Sequence, residues 1–547
     1  MKKALITALA LFPAAFLAFV IGQYAVDLPW FDDFEAFPQL IREEAQTSKF
    51  WEQLQLVLRP QNEHRAVFSK LLTVLYYEAT GRLDFVFLYW AGFVFTLATC
   101  YLFFRAFQDN HLPLLYFLPV SFLLFQVQYH LTFLWAVCGL QHQPVVFFVC
   151  LTMYLLAKQR FGWAILAGFC ANFAMSNGIF VWVGGAAILL YQRQFRWLGF
   201  WIVAATTGIW LYFSGMSAQG NENSFAYFKQ HPDETFFGFF AFLGGLFDFI
   251  PERSIRFRTA LPIGAGILLV VAAVLWLWKI TKNWFAESPK TSSNVLLLFA
   301  LGVMGFLFSN AAVIALLRPR FGFFVMVVSN YKIYPALFMA VVYAAWLSVG
   351  YVTQKERIFK IGLGLAVYVW GLSLVHYLPA IAERRKSLLV HAYNQENHGF
   401  GLGFVPKSPA ALYTDTLMRE MKQKNIFQYP TDFEGLYQKI RITNGGVCPI
   451  TPKLQITEKE INLNAETPDY PRGFNDGIFV FLRSSTQLYI FKMEPHYNQS
   501  RNFFRTFGDG ITFSIPRAAI EKGRYELGFA EVRGELTRTG VCEMIDL

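Results

Sequence analysis

Apolar residues run along this chain in long blocks separated by short polar breaks, and as far as about residue 380 these blocks set the expected architecture. The first covers residues 4–26, behind Met1-Lys2-Lys3. Its length approaches the roughly 20 residues a span requires and exceeds the ~7–15 of a signal-peptide core. It is therefore read as a retained span, with a cleaved signal peptide as the alternative. Further spans are expected at 84–107, 112–130, 133–157, 162–176, 178–191, 196–214, 259–280, 294–316, 331–351 and 358–381, eleven in all. The two that meet at Ser176-Asn177-Gly178 fall short of spanning length and are expected to tilt or re-enter behind protein. Segment 236–250 is also short and aromatic, and is placed in the outer interface.

The polar breaks orient these spans. Loop 27–84 carries ten acidic residues against six basic ones, which suits the outside. Within it Phe34, Phe37, Leu40 and Ile41, and again Val67, Leu71 and Leu75, recur at helical spacing and predict amphipathic helices along the interface. The segments placed inside hold Lys2, Lys3, Arg105, Lys158, Arg160, Arg193, Arg196, Lys279, Lys282, Lys290, Lys355, Arg357 and Lys360 against Asp109, Glu287 and Glu356. Thirteen to three is the bias that holds loops in the cytoplasm. The N-terminus is then inside and the C-terminus outside.

From residue 383 long apolar blocks stop, and short β-rich runs follow at 477–482, 488–491, 511–515 and 525–529 between Gly- and Pro-containing turns. The expected division is thus a transmembrane domain at 1–382, with 27–84 as its first extracytoplasmic loop, and a soluble, mostly-β extracytoplasmic domain at 383–547, read as a β-sandwich. Cys448 and Cys542 are the two cysteines of that domain and are candidates for one disulfide in an oxidising compartment. Cys100, Cys138, Cys150 and Cys170 lie in or beside apolar spans and read as small buried hydrophobes.

Composition agrees with a polytopic α-helical membrane protein: 55% hydrophobic and 18% aromatic residues, with a mean hydropathy of +0.37. The net charge of +10 resides largely in the short segments between spans, so membrane lipids account for it and no nucleic-acid partner is required. No Cys or His spacing matches a structural zinc site and no phosphate-binding loop motif is present.

Three groups of residues carry candidate chemistry. Asp32 and Asp33 stand side by side just beyond the first span, a costly place for paired carboxylates. At the far end of the same loop lies Asn62-Glu63-His64-Arg65, and a second basic group, Arg318, Arg320 and Lys332, flanks the loop between spans nine and ten. Each has a plainer reading: the aspartates and Glu63 could brace the loop against Arg65, and the later cations could be interfacial anchors. Gln126, Gln128, His130, Gln141, His142 and Gln143, near membrane ends, are assigned mainly to helix packing.

An acidic pair opening the first extracytoplasmic loop of a polytopic bundle resembles the membrane glycosyltransferases of the GT-C fold, which take a sugar from a polyprenyl-phosphate carrier. The resemblance covers residues 1–380 in topology and loop placement. It implies Asp32 or Asp33 as the catalytic base, with Asp32 favoured, and His64, Arg65, Arg318, Arg320 and Lys332 as ligands of the donor phosphate, supported by Glu63. Here Asn62-Glu63-His64-Arg65 stands where the aminoarabinose transferases carry a lysine-proline pattern, so the correspondence is one of position and charge. Transfer with inversion to a glycan, lipid or protein acceptor in envelope assembly at the bacterial cytoplasmic membrane is implied. The donor is a substrate and no cofactor is expected; a divalent cation is left open. The competing readings are a transporter or flippase for a lipid-linked glycan, and a glycan polymerase or ligase that would rely on arginines.

The eleven-span layout predicts that tags at Leu547 and near Glu222 are reached from outside the cell and that one near Gln194 is not. Accessibility labelling of intact cells checks this, and a cytoplasmic C-terminus would overturn it.

Overall fold

The structure is a computed structural model that describes all residues except 1, 48, 61–63, 217–220, 251–252, 283, 285–293, 444, 446–447, 468, 501 and 503–504. Its first helices are α1 (Lys2–Tyr24), α2 (Asp33–Ala36), α3 (Pro38–Glu44), α4 (Phe50–Leu58), α5 (Val67–Thr80), α6 (Phe85–Asp109), α7 (Leu118–Leu124), α8 (Leu131–Leu134), α9 (Ala136–Ala157) and α10 (Phe161–Ala174). There follow α11 (Val181–Tyr191), α12 (Phe195–Phe213), α13 (Asn221–Gln230), α14 (Pro232–Leu243), α15 (Ile255–Thr281), α16 (Val295–Leu317), α17 (Ile333–Val349), α18 (Val352–His398), α19 (Pro409–Gln423) and α20 (Glu434–Ile442). Strands β1 (Lys453–Ile456), β2 (Glu460–Ala465), β3 (Gly477–Arg483), β4 (Leu488–Lys492), β5 (Glu494–Tyr497), β6 (Phe507–Pro516), β7 (Arg524–Arg533) and β8 (Leu536–Asp546) complete the chain.

The chain is thus mostly helical, with a C-terminal β-sheet region. Among the described residues seven helical segments are long and apolar enough to cross a membrane: Lys3–Tyr24, Phe85–Asp109, Ala136–Ala157, Ile255–Thr281, Val295–Leu317, Ser329–Val349 and Val352–His398. Leu114–Tyr129, Phe161–Ala174 and Ser176–Tyr191 are apolar but shorter.

Two compact units form. The first comprises 1–23, 43–74 and 87–374; the second comprises 24–42, 75–86 and 375–547. This differs from a division at 382/383 in two respects. Composition changes at Glu383, but α18 continues to His398, because its charged residues are satisfied inside the second unit: Glu383 pairs with Lys386 at 2.5 Å and Lys492 at 2.9 Å, and Arg385 with Asp432 at 2.6 Å. Loop 27–84 is also not one body, since its ends, 24–42 and 75–86, belong to the second unit and 43–74 to the first.

In the first unit α16 packs against α9, α11, α14 and α17, and its side chains are largely buried. Small residues make the closest crossing possible: a Cβ on Gly184 of α11 would run into the Gly302 carbonyl of α16. Without a hydrophobic driving force between helices in lipid, such backbone approach supplies the van der Waals contact that binds them.

In the second unit two antiparallel four-stranded sheets, ordered β1-β2-β6-β5 and β4-β3-β7-β8, enclose a core that includes Ile461, Leu463, Val480, Leu482, Phe491, Ile511, Phe513, Leu527 and Phe529. Strand β3 is apolar on both faces because Ile478, Val480 and Leu482 point into this core while Phe479 meets Phe433, the residue before α20, with ring centroids 5.5 Å apart. A strand covered twice loses the alternation that marks a half-exposed one. Cys448 and Cys542 are joined by a disulfide and pack against the same core.

Candidate functional site

The acidic pair belongs to the second unit. After α1 the backbone at Phe31 takes a left-handed conformation, φ +47°, rare for an aromatic residue, and the aromatic side chains around it over-determine that turn. Trp30 stacks on His391 at 5.5 Å with an interplanar angle of 6°, and Phe31 and Phe34 both meet Phe404. Gly403 (φ +96°) lies so close to the Phe31 ring that an added Cβ would sit 3.0 Å from it. Asp33 is fully buried and accepts a hydrogen bond from the Trp30 N–H at 2.9 Å, which closes the turn. Asp32 occupies the N-cap position of α2 without capping it with its side chain. Its residue surface is exposed, yet nearby protein desolvates the carboxyl and raises its pKa above the ordinary aspartate value.

The basic candidates belong to the first unit, and they divide by role. Arg65 is buried, and its guanidinium donates to the carbonyls of Tyr212 (2.6 Å), Leu58 (2.6 Å) and Ser214. That geometry makes it a clamp from Leu58 to the end of α12, and position and charge do not reveal that its donors are engaged by carbonyls. Lys332 too has a partner that the sequence does not reveal. It is 1% exposed and lies 2.8 Å from Asp248, whose carboxylate also receives two hydrogen bonds from Arg258, at 2.9 and 2.7 Å. A partner 84 positions away turns a supposed surface cation into part of a buried ion triad.

His64 and Arg318 each lie within electrostatic range of His142, near the start of α9. Behind them runs a buried polar chain. His142 Nδ1 lies 2.7 Å from the Tyr334 hydroxyl, which accepts from Asn177 Nδ2 at 2.6 Å, and the same amide donates to Asn310 Oδ1 at 3.2 Å. Asn177 sits in the 3₁₀ turn Ser176–Phe180 between the two short helices α10 and α11, so the break between them delivers a polar group to the chain's interior. Arg318 and Arg320 hold their guanidinium groups over the Phe321 ring, at 5.8 and 4.5 Å from its centroid. Glu63, the supporting residue of the sequence reading, lies outside the described residues.

Comparison with protein families, curated proteins and solved structures found no match. The residues themselves therefore carry the reading. His142 is assigned by the sequence to helix packing and Asn177 only to the junction of two short helices, because isolated polar positions in apolar helices give no sign of sharing a partner. The only hint lay in Ser176-Asn177-Gly178, where two helices too short to span are interrupted by an amide. Asp248 and Arg258 were likewise missed as a pair, although an acid and an arginine ten positions apart around an interfacial turn was the available signal. Among the described residues no group of three or more His, Cys, Asp or Glu side chains is arranged to hold a metal ion.

A second carboxylate site also emerges in the second unit. Asp27 accepts a hydrogen bond from the Phe85 N–H at 2.8 Å, at the N-terminus of α6. Burial, opposed by that hydrogen bond and reinforced by the charge of Asp84, pushes its pKa up to about 7. Because the folded state then holds a proton that the unfolded chain releases at ~4, this group's contribution to stability is present in acid and is lost as pH rises through about 7. Asp27→Asn keeps the acceptor for Phe85 and removes the titration. The variant should have a higher thermal midpoint than the parent at pH 8 and a nearly equal one at pH 4, read by scanning fluorimetry in detergent; a lower midpoint at both would contradict this account. By contrast Arg65→Ala should lower the midpoint at every pH, by more than about 2 kcal/mol in stability, since three carbonyls lose a charged donor.

Proposed function

We propose that the chain is a GT-C-like membrane glycosyltransferase that moves a sugar, with inversion, from a polyprenyl-phosphate carrier to an extracytoplasmic hydroxyl in cell-envelope glycan assembly. The observation that carries the reading is the positive charge gathered in the first unit. Arg318 and Arg320 stand together over the Phe321 ring, and the Asp248 carboxylate is shared by Arg258 and Lys332. A lipid-linked phosphate is an anion delivered from the bilayer, and cationic side chains at a membrane bundle are the groups that bind phosphate through charge-assisted hydrogen bonds. A transporter would also use such charge, together with an interrupted helix pair like α10 and α11.

The chemistry needs two further things. A base must take the acceptor's proton as its oxygen attacks the anomeric carbon, and the departing phosphate must be stabilised as its bond to that carbon breaks. Asp32 is the better base of the pair: its pKa is raised toward the working range, whereas Asp33 is buried and braces the Trp30 turn. His64 and Arg318, with Arg320, supply positive charge for the phosphate. In this reading the seven long apolar segments, the three shorter ones and α12 make eleven crossings, with the N-terminus in the cytoplasm and the β-sheet region outside. The membrane is the bacterial cytoplasmic membrane.

Purified protein in nanodiscs, given a panel of polyprenyl-phosphate sugars and envelope acceptors, should consume one donor and form a new glycosidic bond. Asp32→Asn should reduce turnover by roughly 10²- to 10⁴-fold with donor binding retained. Asp33→Ala should instead lower thermal stability and leave the specific activity of the folded fraction nearly unchanged. Full activity of Asp32→Asn would end the catalytic assignment, and movement of the lipid-linked sugar across liposomes without a new bond would favour the transporter.

A further inference from the structure

The second unit contains a polar cavity of about 420 Å³, within the ~300–1,000 Å³ usual for small-ligand sites. Three elements build it: the end of α18 contributes Tyr393 and Asn397, α20 contributes Arg441, and the β3–β4 turn contributes Ser485, Thr486 and Gln487. Its frame is fixed from behind. Arg483 donates to the carbonyls of Ile440, Arg441 and Thr443 and to the carboxylate of Glu526, at 2.5–3.1 Å, so β3 and α20 cannot separate without losing a charged donor. His398 stacks on Tyr489 with centroids 3.9 Å apart and its Nε2 lies 2.7 Å from the Leu488 carbonyl. The turn itself is held by Ser484, whose hydroxyl accepts from the N–H groups of Thr486 and Gln487 at 3.3 and 3.0 Å.

What this frame presents is chemically selective. Tyr393 packs on Tyr437 at 4.4 Å and accepts a hydrogen bond from Arg441 at 3.4 Å, which places the guanidinium at the cavity wall. Asn397 uses its NH₂ on the Tyr393 carbonyl at 2.9 Å, which turns the acceptor half of its amide to other use. Ser485 and Thr486 are exposed and add hydroxyls that both donate and accept. Among the described residues lining the cavity none is acidic. A wall of hydroxyls and amides with two arginines, of which Arg483 is engaged by Glu526 and three carbonyls, and with no lining carboxylate suits a ligand rich in hydroxyl groups that also bears negative charge.

We infer that this cavity is a saccharide subsite for an anionic glycan, with Arg441 meeting the carboxylate or phosphoryl group of one sugar unit and the 484–487 turn and Asn397 meeting ring hydroxyls. The inference rests on the glycosyltransferase reading and deepens it: the β-sheet region recognises the acceptor chain, and the acceptor is acidic.

The test is direct binding to the full-length protein in nanodiscs, which requires no transfer reaction. Saturation-transfer NMR and calorimetry would use a uronic-acid oligosaccharide, a neutral oligosaccharide of equal length, and inorganic phosphate. The acidic oligosaccharide should bind more tightly than the neutral one. Arg441→Ala, a change at an exposed side chain, should weaken that binding by about 10- to 100-fold, and Arg441→Lys should restore part of it. Thr486→Ala should weaken both oligosaccharides. In transfer assays Arg441→Ala should raise the acceptor KM with donor affinity unchanged. Equal binding of the oligosaccharides by parent and Arg441→Ala, absence of binding, or full competition by inorganic phosphate at the oligosaccharide's own affinity would overturn the subsite. Oligosaccharide binding that depends on Arg441 in a protein without transferase activity would uphold the subsite and discard only the enzymatic reading.

Discussion

Charge taken out of water must be met by charge, and in the first unit Asp248 satisfies two cations at once. Its carboxylate joins Arg258 on α15 to Lys332 at the head of α17, and Arg258 reaches on to the Val327 carbonyl at 3.2 Å. Removing the shared carboxylate would leave two positive groups facing each other in low-dielectric surroundings, a loss of about 3–5 kcal/mol by analogy with other buried pairs. The triad ties α15 to the Val327 carbonyl and to the start of α17. Tyr334, one helical residue further on, is thereby held where His142 and Asn177 meet it.

In the second unit a comparable constraint is backbone shape. Phe31 adopts a conformation that an aromatic residue rarely takes, and stacking of Trp30 on His391 with packing of Phe31 and Phe34 on Phe404 holds it there. The consequence is a division of labour between neighbouring aspartates. Asp33 turns inward to the Trp30 amide, while Asp32 stays at the surface with a desolvated carboxyl. Two adjacent residues of one type thus carry different chemistry because the turn sends them to different environments.

Much of this architecture was legible. Apolar blocks of spanning length became α1, α6, α9, α15, α16 and α17, and the runs at 477–482, 488–491, 511–515 and 525–529 fall within β3, β4, β6 and β7. Strands β1, β2, β5 and β8 were not, because their exposed or mixed faces carry little apolar signal; β8, for example, holds Thr537, Arg538, Thr539 and Glu543. The end of α18 was hidden for the opposite reason, since Glu383, Arg385 and Lys386 look like a solvated boundary but are buried in ion pairs. The site was legible as residue types and not as partnerships. Arg65 and Lys332 look in sequence like the other cations, yet one donates to carbonyls and the other pairs with Asp248, and only long-range contacts reveal those partners.

The central claim is that His64 and Arg318 hold a lipid-linked phosphate. The most direct measurement is retention of a polyprenyl phosphate by detergent-purified protein in native mass spectrometry, compared with the uncharged polyprenol and with a His64→Ala, Arg318→Ala double variant. One phosphate lipid retained per chain, little polyprenol, and loss of the phosphate lipid in a variant of normal thermal midpoint is the predicted result. Equal retention of phosphate and alcohol, or undiminished retention in the double variant, would contradict it.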